Sequence, residues 1–205
     1  RSYVDKLVEI LGDRIHLNTP IQKVSRTKNK VTITMPDGSK QDFDEVILAC
    51  HADQSLRLLE FPTPEESELL QSFPYQANRV TLHSDDSVIP KRKSARASWN
   101  AYMPKKKSSE ALVTYDMNIL QRLPTDEPFC VSLNQQNLVD KEKIHGNYDF
   151  AHPTFHPGRK EAQNRHASFI RNRGISLCGA YWGYGFHEDG LKSGLRVCEA
   201  FGESL

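Results

Sequence analysis

The beginning of the chain carries apolar residues three or four positions apart. Four of them fall on one helical face: Val4, Leu7, Val8 and Leu11. Ser2 is suited to cap the first turn and Gly12 to end the last one, since these residue types satisfy the free backbone groups of helix ends. The pattern therefore predicts an amphipathic helix from Ser2, with Gly12 as its stop.

A two-residue alternation follows, which is typical of strands. Short strands are predicted at residues 14–17, 21–26, 31–35 and 40–43. Pro36-Asp37-Gly38 predicts the turn between the last two of these strands. The run at residues 46–50 is apolar throughout, so we expect a strand covered on both faces, as in a parallel sheet.

A second helix is predicted after a proline-rich linker. Thr63 and Glu66 have the spacing of a capping box, and Pro64 suits the first helical position. Three residues form the expected buried face: Leu69, Leu70 and Phe73.

Strands dominate the predicted structure beyond this helix. The candidates are residues 79–83, 112–116 and 129–133, whereas residues 134–166 are polar and irregular and predict no ordered element. A strand is then predicted at residues 175–178, followed by a glycine-rich loop and a final helix. The expected buried face of this last helix consists of Leu191, Leu195, Cys198 and Phe201. Gly194 lies near that face and would permit close packing.

Composition narrows the possible functions. The 27 basic and 26 acidic side chains give a net charge of +1, which creates no broad field for nucleic acid or anionic membranes. Two basic runs, residues 91–93 and 105–107, are interpreted as solvated loops.

The four cysteines are not spaced for zinc and are expected to be reduced thiols, which favours a cytoplasmic location. No apolar run is long enough to span a membrane, and no secretory signal is present.

The segment from 175 onward carries the most informative chemistry. A strand, a glycine-rich loop and a helix N-terminus together direct backbone N–H groups at one point, which suits an anion or an electron-rich oxygen. Gly179, Gly183 and Gly185 would let the backbone approach a flat ligand, and neighbouring aromatics would add ring surface. The alternative is a tight strand-to-helix turn with packed aromatics, because the spacing is not the GxGxxG that holds a diphosphate.

Residues 179–194, GAYWGYGFHEDGLKSG, resemble the C-terminal flavin-binding motif of the amine-oxidase and phytoene-desaturase-like flavoproteins. The resemblance implies noncovalent FAD, with the last helix pointing its N-terminus at the pyrimidine end of the isoalloxazine. It implies five cofactor-binding positions here: Gly179, Ala180, Asp189, Gly190 and Leu191. Residues 18–21 resemble the segment of that family that contacts the adenine, which implies the same role for Ile21.

The resemblance covers nearly the whole chain and extends to a subgroup. Residues 49–53 and 97–100 resemble predicted FAD/NAD-binding oxidoreductases that are associated with cyclopropane fatty acid synthases. It implies a small apolar substrate and a possible synthase partner. It also implies an α/β fold, in which a partial FAD/NAD(P)-binding Rossmann-like domain at 1–54 and 167–205 holds an inserted strand-rich α+β substrate domain at 55–166.

Two departures from the family pattern change the expectation. No GxGxxG follows a strand, so we expect that a separate N-terminal FAD-binding segment is missing and that this piece alone is inactive. Members of the family often place a lysine near the flavin on the first strand of the substrate domain. Residues 78–83 contain none, which places amine oxidation in doubt.

Four side chains are candidates for the reaction site. His187 could shape the site or move a proton, and Tyr181, Trp182 and Trp99 could contact substrate. For each, the alternative is an ordinary loop or packing residue. No metal site is expected, because Pro153 and Pro157 prevent the helix that His152 and His156 would need.

Two functional hypotheses follow. In the first, the protein is part of an FAD-dependent oxidoreductase that oxidises or desaturates an apolar, lipid-like substrate by hydride transfer to FAD. In the second, it is a degenerate, non-catalytic flavoprotein-like module that binds a lipid-modifying enzyme.

Overall fold

A computed structural model describes residues 2–105 and 110–204, so Lys106 and Lys107 of the second basic run lie outside the described residues. The helices are α1 (Ser2–Leu11), α2 (Ala52–Leu58), α3 (Pro64–Gln71), α4 (Met117–Gln121), α5 (Arg159–Asn164) and α6 (His187–Ala200). The first strands are β1 (Lys23–Arg26), β2 (Val31–Thr34), β3 (Lys40–Phe43), β4 (Val46–Leu48) and β5 (Tyr75–His83). The remaining strands are β6 (Trp99–Ala101), β7 (Val113–Asp116), β8 (Cys130–Leu133), β9 (Ile144–Pro153) and β10 (Ile175–Leu177).

The chain divides into two compact units. The first unit contains the residues up to Pro74 together with those from Pro153 onward, and the second contains Tyr75–His152. These boundaries differ from the predicted ones after residues 54 and 166. The segment 55–74 stays with the first unit because α3 packs on α2, and 153–166 does so because α5 holds the glycine-rich loop.

A three-stranded antiparallel sheet, β1-β2-β3, begins the first unit. Met35 N–H donates to Ser39 O at 2.9 Å across the predicted turn, and β3 has the predicted bounds. The strand predicted at 14–17 is wrong. The chain forms a 3-10 turn at Gly12–Arg14 and enters the left-handed region at Asn18, with φ 53°, so no straight stretch remains for a partner strand.

A parallel pair of strands, β4 and β10, forms the other sheet of the first unit. The parallel direction is as predicted from the apolar run. Val46 and Leu48 are buried, but Ile47 is 47% exposed. Within the described residues, only one face of β4 is therefore covered, and the expectation of cover on both faces is not met there.

The capping box of α3 is confirmed. Thr63 Oγ1 accepts a hydrogen bond from Glu66 N–H at 3.2 Å, and Glu66 Oε2 accepts one from Thr63 N–H at 2.8 Å. The predicted buried face is also confirmed, since no member is more than 1% exposed: Leu69, Leu70 and Phe73. Burial of this face fixes α3 in the core of the first unit.

The two end helices of the chain both expose apolar surface. Helix α1 ends as predicted at Gly12, where φ is 52°, but its apolar face is exposed. The face predicted to be buried on α6 is wrong, because Leu191 is 57% exposed and Ser193 and Val197 are the buried residues. The Ser193 hydroxyl accepts a hydrogen bond from Gly179 N–H at 2.8 Å, and this bond directs the Ser193 side of α6 toward the rest of the unit.

Gly194 does not serve the close packing that was predicted for it. A Cβ placed there would meet no atom within 4 Å. Of the two glycines in α6, half-buried Gly190 is the one close to the rest of the first unit, since Ala180 Cβ lies 3.8 Å from the position that a Cβ at Gly190 would take.

The second unit is built on a five-stranded sheet in the order β6-β7-β8-β5-β9. The strands predicted at 79–83, 112–116 and 129–133 are confirmed as parts of β5, β7 and β8. Strand β9 was missed, although Ile144, Tyr148 and Phe150 alternate with polar residues along it. Its edge position explains the weak pattern, because an edge strand needs little apolar content.

Candidate active site

The glycine-rich loop begins where β10 ends. Gly179 has φ 153°, and a Cβ there would lie 2.7 Å from the Tyr181 ring and 3.4 Å from Cys50 O. Only glycine is accommodated without movement of that ring. The chain then makes a 3-10 turn at Ala180–Trp182, which sets the direction of the loop.

Asp189 closes the loop from inside the helix. Its Oδ2 accepts hydrogen bonds from the backbone N–H groups of Tyr184 and Phe186, both at 3.0 Å. A Cβ at Gly183 would overlap the Asp189 carboxylate, so the loop needs glycine at that position. Asp189 therefore lies three residues into α6 and binds the segment before it, which is the reciprocal half of a capping box.

Helix α6 begins at His187. Gly190 N–H donates to Phe186 O at 3.2 Å, so Gly190 and Leu191 lie within the helix rather than at its opening. The N–H groups of His187 and Glu188 are those that an α-helix leaves without an intrahelical acceptor. Residues 184–188 are all exposed, so the start of the helix is open.

The open helix start fits the ring end of a flavin. Its two N–H groups and the helix dipole favour negative charge, and Tyr184 and Phe186, whose rings are exposed, come just before them in the chain. The Glu188 carboxylate pairs with Lys192 at 3.2 Å, which offsets its charge near this end. The sequence contains no GxGxxG, so the residues present fit one edge of the cofactor and not its diphosphate.

Tyr181 and Trp182 lie in the core of the first unit. They are 2% and 7% exposed, and their rings lie 5.0 and 5.5 Å from the Phe73 ring. The His166 ring stacks on Trp182 with centroids 4.1 Å apart. These contacts give Tyr181 and Trp182 the packing role that the sequence left open as the alternative to contacting substrate. Their contact with substrate stays a prediction.

Two residues that sequence reasoning missed hold the loop from outside. Arg159, 3% exposed, donates through Nη2 to Tyr181 O at 3.2 Å and to Gly183 O at 3.0 Å. Gln163 Nε2 donates to the same two carbonyls at 3.1 and 2.6 Å. Both lie on α5 or at its end, in the stretch judged irregular. No local pattern indicated them, since the contacts join residues about twenty positions apart.

His166 supports the loop and the strand before it. Its Nε2–H donates to Leu177 O at 2.9 Å. Burial lowers the pKa of His166, and the charge of Arg196 adds to this, while the Leu177 carbonyl opposes it. His166 and Trp182 also line a cavity of about 720 Å³, whose charged lining residues are Lys160, Arg171, Arg196 and Glu199.

One face of the sheet in the second unit is apolar and open. Residues directly opposite each other in neighbouring strands lie on the same face. The register aligns Trp99 with Tyr115, and Val131 with both Tyr115 and Leu82. Trp99 is 54% exposed, and its ring meets that of Tyr115 edge-on at 5.3 Å.

Strand β9 extends this face. The side chains of Thr81 and Asn147 share a hydrogen bond of 2.9 Å, so they lie on the opposite face of the sheet. Alternation along β9 then places Tyr148 and Phe150 on the same side as Leu82. Their rings stack at 6.1 Å and are 48% and 53% exposed. We refer to these residues as the apolar sheet face: Trp99, Tyr115, Val131, Leu82, Tyr148 and Phe150.

The opposite face is polar and buried. His83 Nε2 lies 2.8 Å from Ser132 Oγ, which in turn lies 2.6 Å from Thr114 Oγ1. Asp85 N–H donates to His83 Nδ1 at 3.1 Å, so the ring proton is on Nε2 and faces Ser132. Burial lowers the pKa of His83. The ring therefore donates to Ser132 and cannot accept its proton, so this pair is structural rather than nucleophilic.

The remaining candidates are placed as follows. His187 is exposed as the first residue of α6, and Ile21 is half-buried just before β1. His152 Nδ1 lies 3.0 Å from Asn78 Nδ2, and His156 Nε2 lies 2.8 Å from Ser72 O. Within residues 2–105 and 110–204, no group of three metal-ligating side chains comes together. In the same residues, no helix combines the length and apolar character needed to cross a bilayer.

The parallel strand pair, the glycine loop that Asp189 closes and the open helix start are features of an α/β flavoprotein. The chain belongs to the flavin containing amine oxidoreductase family, whose model matches residues 1–103. FAD is accordingly its cofactor. No curated protein matches the sequence significantly.

Solved structures show the same fold at low sequence identity. The CLA-producing fatty acid isomerase from P. acnes is 13% identical with a TM-score of 0.63, covering 98% of this chain and 51% of its own. Putrescine oxidase bound to putrescine is 14% identical with a TM-score of 0.60, covering 98% and 52%. Cyclohexylamine oxidase from Brevibacterium oxydans is 10% identical with a TM-score of 0.61, covering 98% and 53%. The chain thus spans about half the length of these structures.

Proposed function

We propose that this chain is part of an FAD-dependent oxidoreductase that oxidises or desaturates an apolar, lipid-like substrate. The observation that carries the substrate class is the apolar sheet face, where Trp99, Tyr148 and Phe150 are each about half exposed. A unit that buries the polar face of its sheet and exposes apolar side chains on the other has a binding surface for apolar molecules. When bound, FAD supplies the hydride acceptor for such a reaction.

The first unit holds the ring of the cofactor in this proposal. The N–H groups of His187 and Glu188 would hold the electron-rich edge of the ring, since the helix dipole favours negative charge at this end. Gly179, Ala180 and Gly190 have no side chain or a small one, which leaves space for the ring beside the backbone. The proposed set also retains the other positions implied by the resemblance: Ile21, Asp189 and Leu191. Asp189 acts by holding the loop, through its bonds to the two N–H groups before the helix.

The second unit binds the substrate. Trp99 contacts the apolar chain of the substrate directly, and the neighbouring rings extend the surface. Asn78 stands in the strand where related enzymes often have a lysine, and its amide is engaged by His152 and Asn134. An uncharged, engaged amide gives no support to amine oxidation. Tyr181 and Trp182 support the loop from its buried side. His187 is exposed at the start of α6 and moves a proton if the substrate carbon requires one.

The proposal includes a partner for the first unit. A segment carrying the GxGxxG of a dinucleotide-binding βαβ supplies the diphosphate site that this sequence does not contain. Exposed Ile47 on β4 and the exposed face of α1 are apolar surfaces of the kind such a segment covers. The association with a cyclopropane fatty acid synthase stays a prediction from the sequence. The family match does not favour the alternative of a non-catalytic module.

The first experiment identifies the cofactor and the substrate class in the whole protein. Purified protein is denatured and the released chromophore is identified by mass and absorbance. Fatty acids and amines are then added anaerobically to separate samples while the flavin absorbance is followed. We expect FAD, bleached by a fatty acid and unchanged by amines. A colourless protein would overturn the flavin assignment, and bleaching by amines alone would overturn the substrate class.

A variant isolates the substrate surface from the cofactor site. Trp99→Ala is expected to raise KM for the fatty acid by about tenfold or more while FAD content stays unchanged, because the proposed aromatic contact with the substrate is lost. Phe61→Ala, which alters a 77% exposed ring of the first unit, is the control and is expected to change neither quantity. Equal KM in both variants would contradict the role of the apolar sheet face.

A further inference from the structure

The basic side chains of this nearly neutral chain are unevenly distributed. Residues 87–109 carry seven basic side chains and no acidic one. Asp86, directly before this stretch, pairs with Arg96 at 3.0 Å, and Glu110 is the next acidic residue along the chain. The net charge of +1 for the whole chain therefore includes a local excess of positive charge in the second unit.

The first basic run is held in place by its loop. Arg96 Nε donates to Pro90 O at 2.8 Å, and the backbone between them makes a 3-10 turn at Lys93–Ala95. Residues 91–93 and Lys105 are exposed. In the part of the chain that the structure describes, no carboxylate pairs with these side chains. Their charges therefore face solvent without a counter-charge.

Exposed apolar side chains lie beside this run. Pro90, the residue before the run, lines the same groove as Tyr102 and Leu138. Tyr102 is 46% exposed and Leu138 50%, and Met103, next to Tyr102, is 89% exposed. Basic and apolar side chains thus share one surface of the second unit. We refer to it as the basic–apolar patch: residues 91–93, Tyr102, Met103, Lys105 and Leu138.

The backbone beneath the apolar part is fixed by the sheet. Tyr102 N–H donates to Leu112 O at 2.8 Å, which extends the pairing of β6 with β7 by one residue. Strand β6 is an edge strand of the five-stranded sheet, so the patch lies at the margin of that sheet. A surface that is already ordered loses little conformational entropy when it binds.

An anionic lipid bilayer complements both parts of the patch. Basic side chains are attracted to its negative headgroups, and apolar and aromatic side chains enter the boundary between headgroups and acyl chains. A nucleic acid would use the same charges but would leave Met103 and Leu138 in water. Exposed apolar groups beside unpaired basic ones therefore favour the bilayer.

We propose that the basic–apolar patch binds the surface of a bilayer that contains anionic phospholipid. Met103 and Leu138 enter the headgroup boundary, and residues 91–93 and Lys105 contact the lipid phosphates and carboxylates. The proposal does not depend on the substrate class, because it follows from the charge and exposure of the second unit. Binding is measured without turnover, so this proposal and the proposed function can fail separately.

The test measures co-sedimentation of the purified whole protein with vesicles. Vesicles of phosphatidylcholine alone are compared with mixed vesicles that also contain phosphatidylserine. We expect binding to the mixed vesicles to be at least about tenfold tighter and to weaken as added salt screens the charges. Equal binding to both kinds of vesicle, or binding to neither, would overturn the proposal.

A triple variant separates the patch from the total charge. Lys91→Gln, Arg92→Gln and Lys93→Gln together are expected to weaken binding to the mixed vesicles by about 100-fold, or about fivefold for each charge. The control removes the same charge from three exposed lysines of the first unit and is expected to bind as the unaltered protein does: Lys28→Gln, Lys40→Gln and Lys160→Gln. Equal losses in the two variants would refute the assignment of the site.

A fluorescent variant tests whether the apolar part enters the bilayer. In Met103→Trp, the added emission is expected to move to shorter wavelength with the mixed vesicles and to be quenched by brominated lipid, because the indole leaves water. The unaltered protein, with Trp99 and Trp182, supplies the background spectrum. Emission that stays unchanged on bound protein would overturn the proposed insertion. Tighter binding to single-stranded RNA than to the mixed vesicles would overturn the choice of a bilayer.

Discussion

The carboxylate of Asp189 occupies the space that a side chain at Gly183 would need. The same carboxylate accepts both hydrogen bonds that tie the loop to the start of α6. The two residues thus depend on each other, since the loop closes only if position 183 has no side chain and position 189 has an acceptor.

Gly183→Ala is accordingly expected to displace Asp189 and break the loop closure. We expect a loss of about 1–3 kcal/mol in the free energy of unfolding, the range for forcing an atom into a packed site. Urea unfolding measures it. Gly194→Ala is the matched control, because a Cβ there meets nothing within 4 Å, and it is expected to be neutral or to stabilise by up to about 1 kcal/mol. Similar losses in both variants would contradict the proposed contact.

Two buried histidines are expected to lower the stability of the folded chain at acid pH. Burial lowers the pKa values of His83 and His166 in the folded state below their ordinary value. The unfolded chain therefore binds protons more readily, so stability is full above about pH 6.5 and declines as the pH falls below that value.

The contribution of His166 can be measured by substitution. His166→Gln, whose amide can still donate to Leu177 O, is expected to lose less stability between about pH 7 and pH 5 than the unaltered chain, because one of the two titrating groups is gone. The exposed His16→Gln is the control and should keep the original slope. Thermal unfolding across this range measures both, and an unchanged slope in His166→Gln would refute the assignment.

The buried ion pair of Arg26 and Glu66 is expected to contribute strongly to the first unit. Glu66 is 2% exposed and also completes the α3 capping box. Glu66→Gln preserves the cap but leaves the Arg26 charge without its partner, with an expected loss of about 3–5 kcal/mol.

The neighbouring surface pair supplies the comparison. Lys23 and Glu60 are 49% and 29% exposed, so Glu60→Gln is expected to cost less than about 1 kcal/mol. Chemical denaturation of both variants measures the loss in the free energy of unfolding. Equal losses would show that the buried pair contributes no more to stability than the surface pair.

The thiols are expected to react in an order set by burial. Burial raises the pKa of Cys130 to about 12 and also raises that of Cys178. The thiolate is the reactive form, so these two should react with a disulfide reagent only after unfolding. Cys198 is exposed and should react first, with half-buried Cys50 slower. Rapid labelling of all four in the native protein would contradict the fold of both units.

Local chemistry was enough to predict several elements of this fold. The capping box at Thr63 and Glu66 and the turn ending at Gly38 depend on neighbouring residues, and both are confirmed. The parallel pairing of residues 46–48 followed from an apolar run. By contrast, the strand predicted at 14–17 failed because left-handed turns at its two ends outweighed its apolar content.

The side of α6 that faces the protein could not be predicted. Its largest apolar residues indicated one face, but the Gly179–Ser193 hydrogen bond selects another. The positions of Arg159 and Gln163 were equally hidden, since their partners are carbonyls far away in sequence. The glycine motif indicated the candidate site, whereas the residues that support its loop are brought to it only by the tertiary fold.

By itself, the sequence determined the short-range elements, the cofactor family and the place of the glycine-rich loop, because caps, turns and motifs act through neighbouring residues. Only the tertiary structure decided that α6 opens at His187, that Tyr181 and Trp182 are packed, and that the apolar face of the second sheet is the open one. These depend on which distant groups pair or pack, and the two-residue period of a strand is the same whichever face is covered.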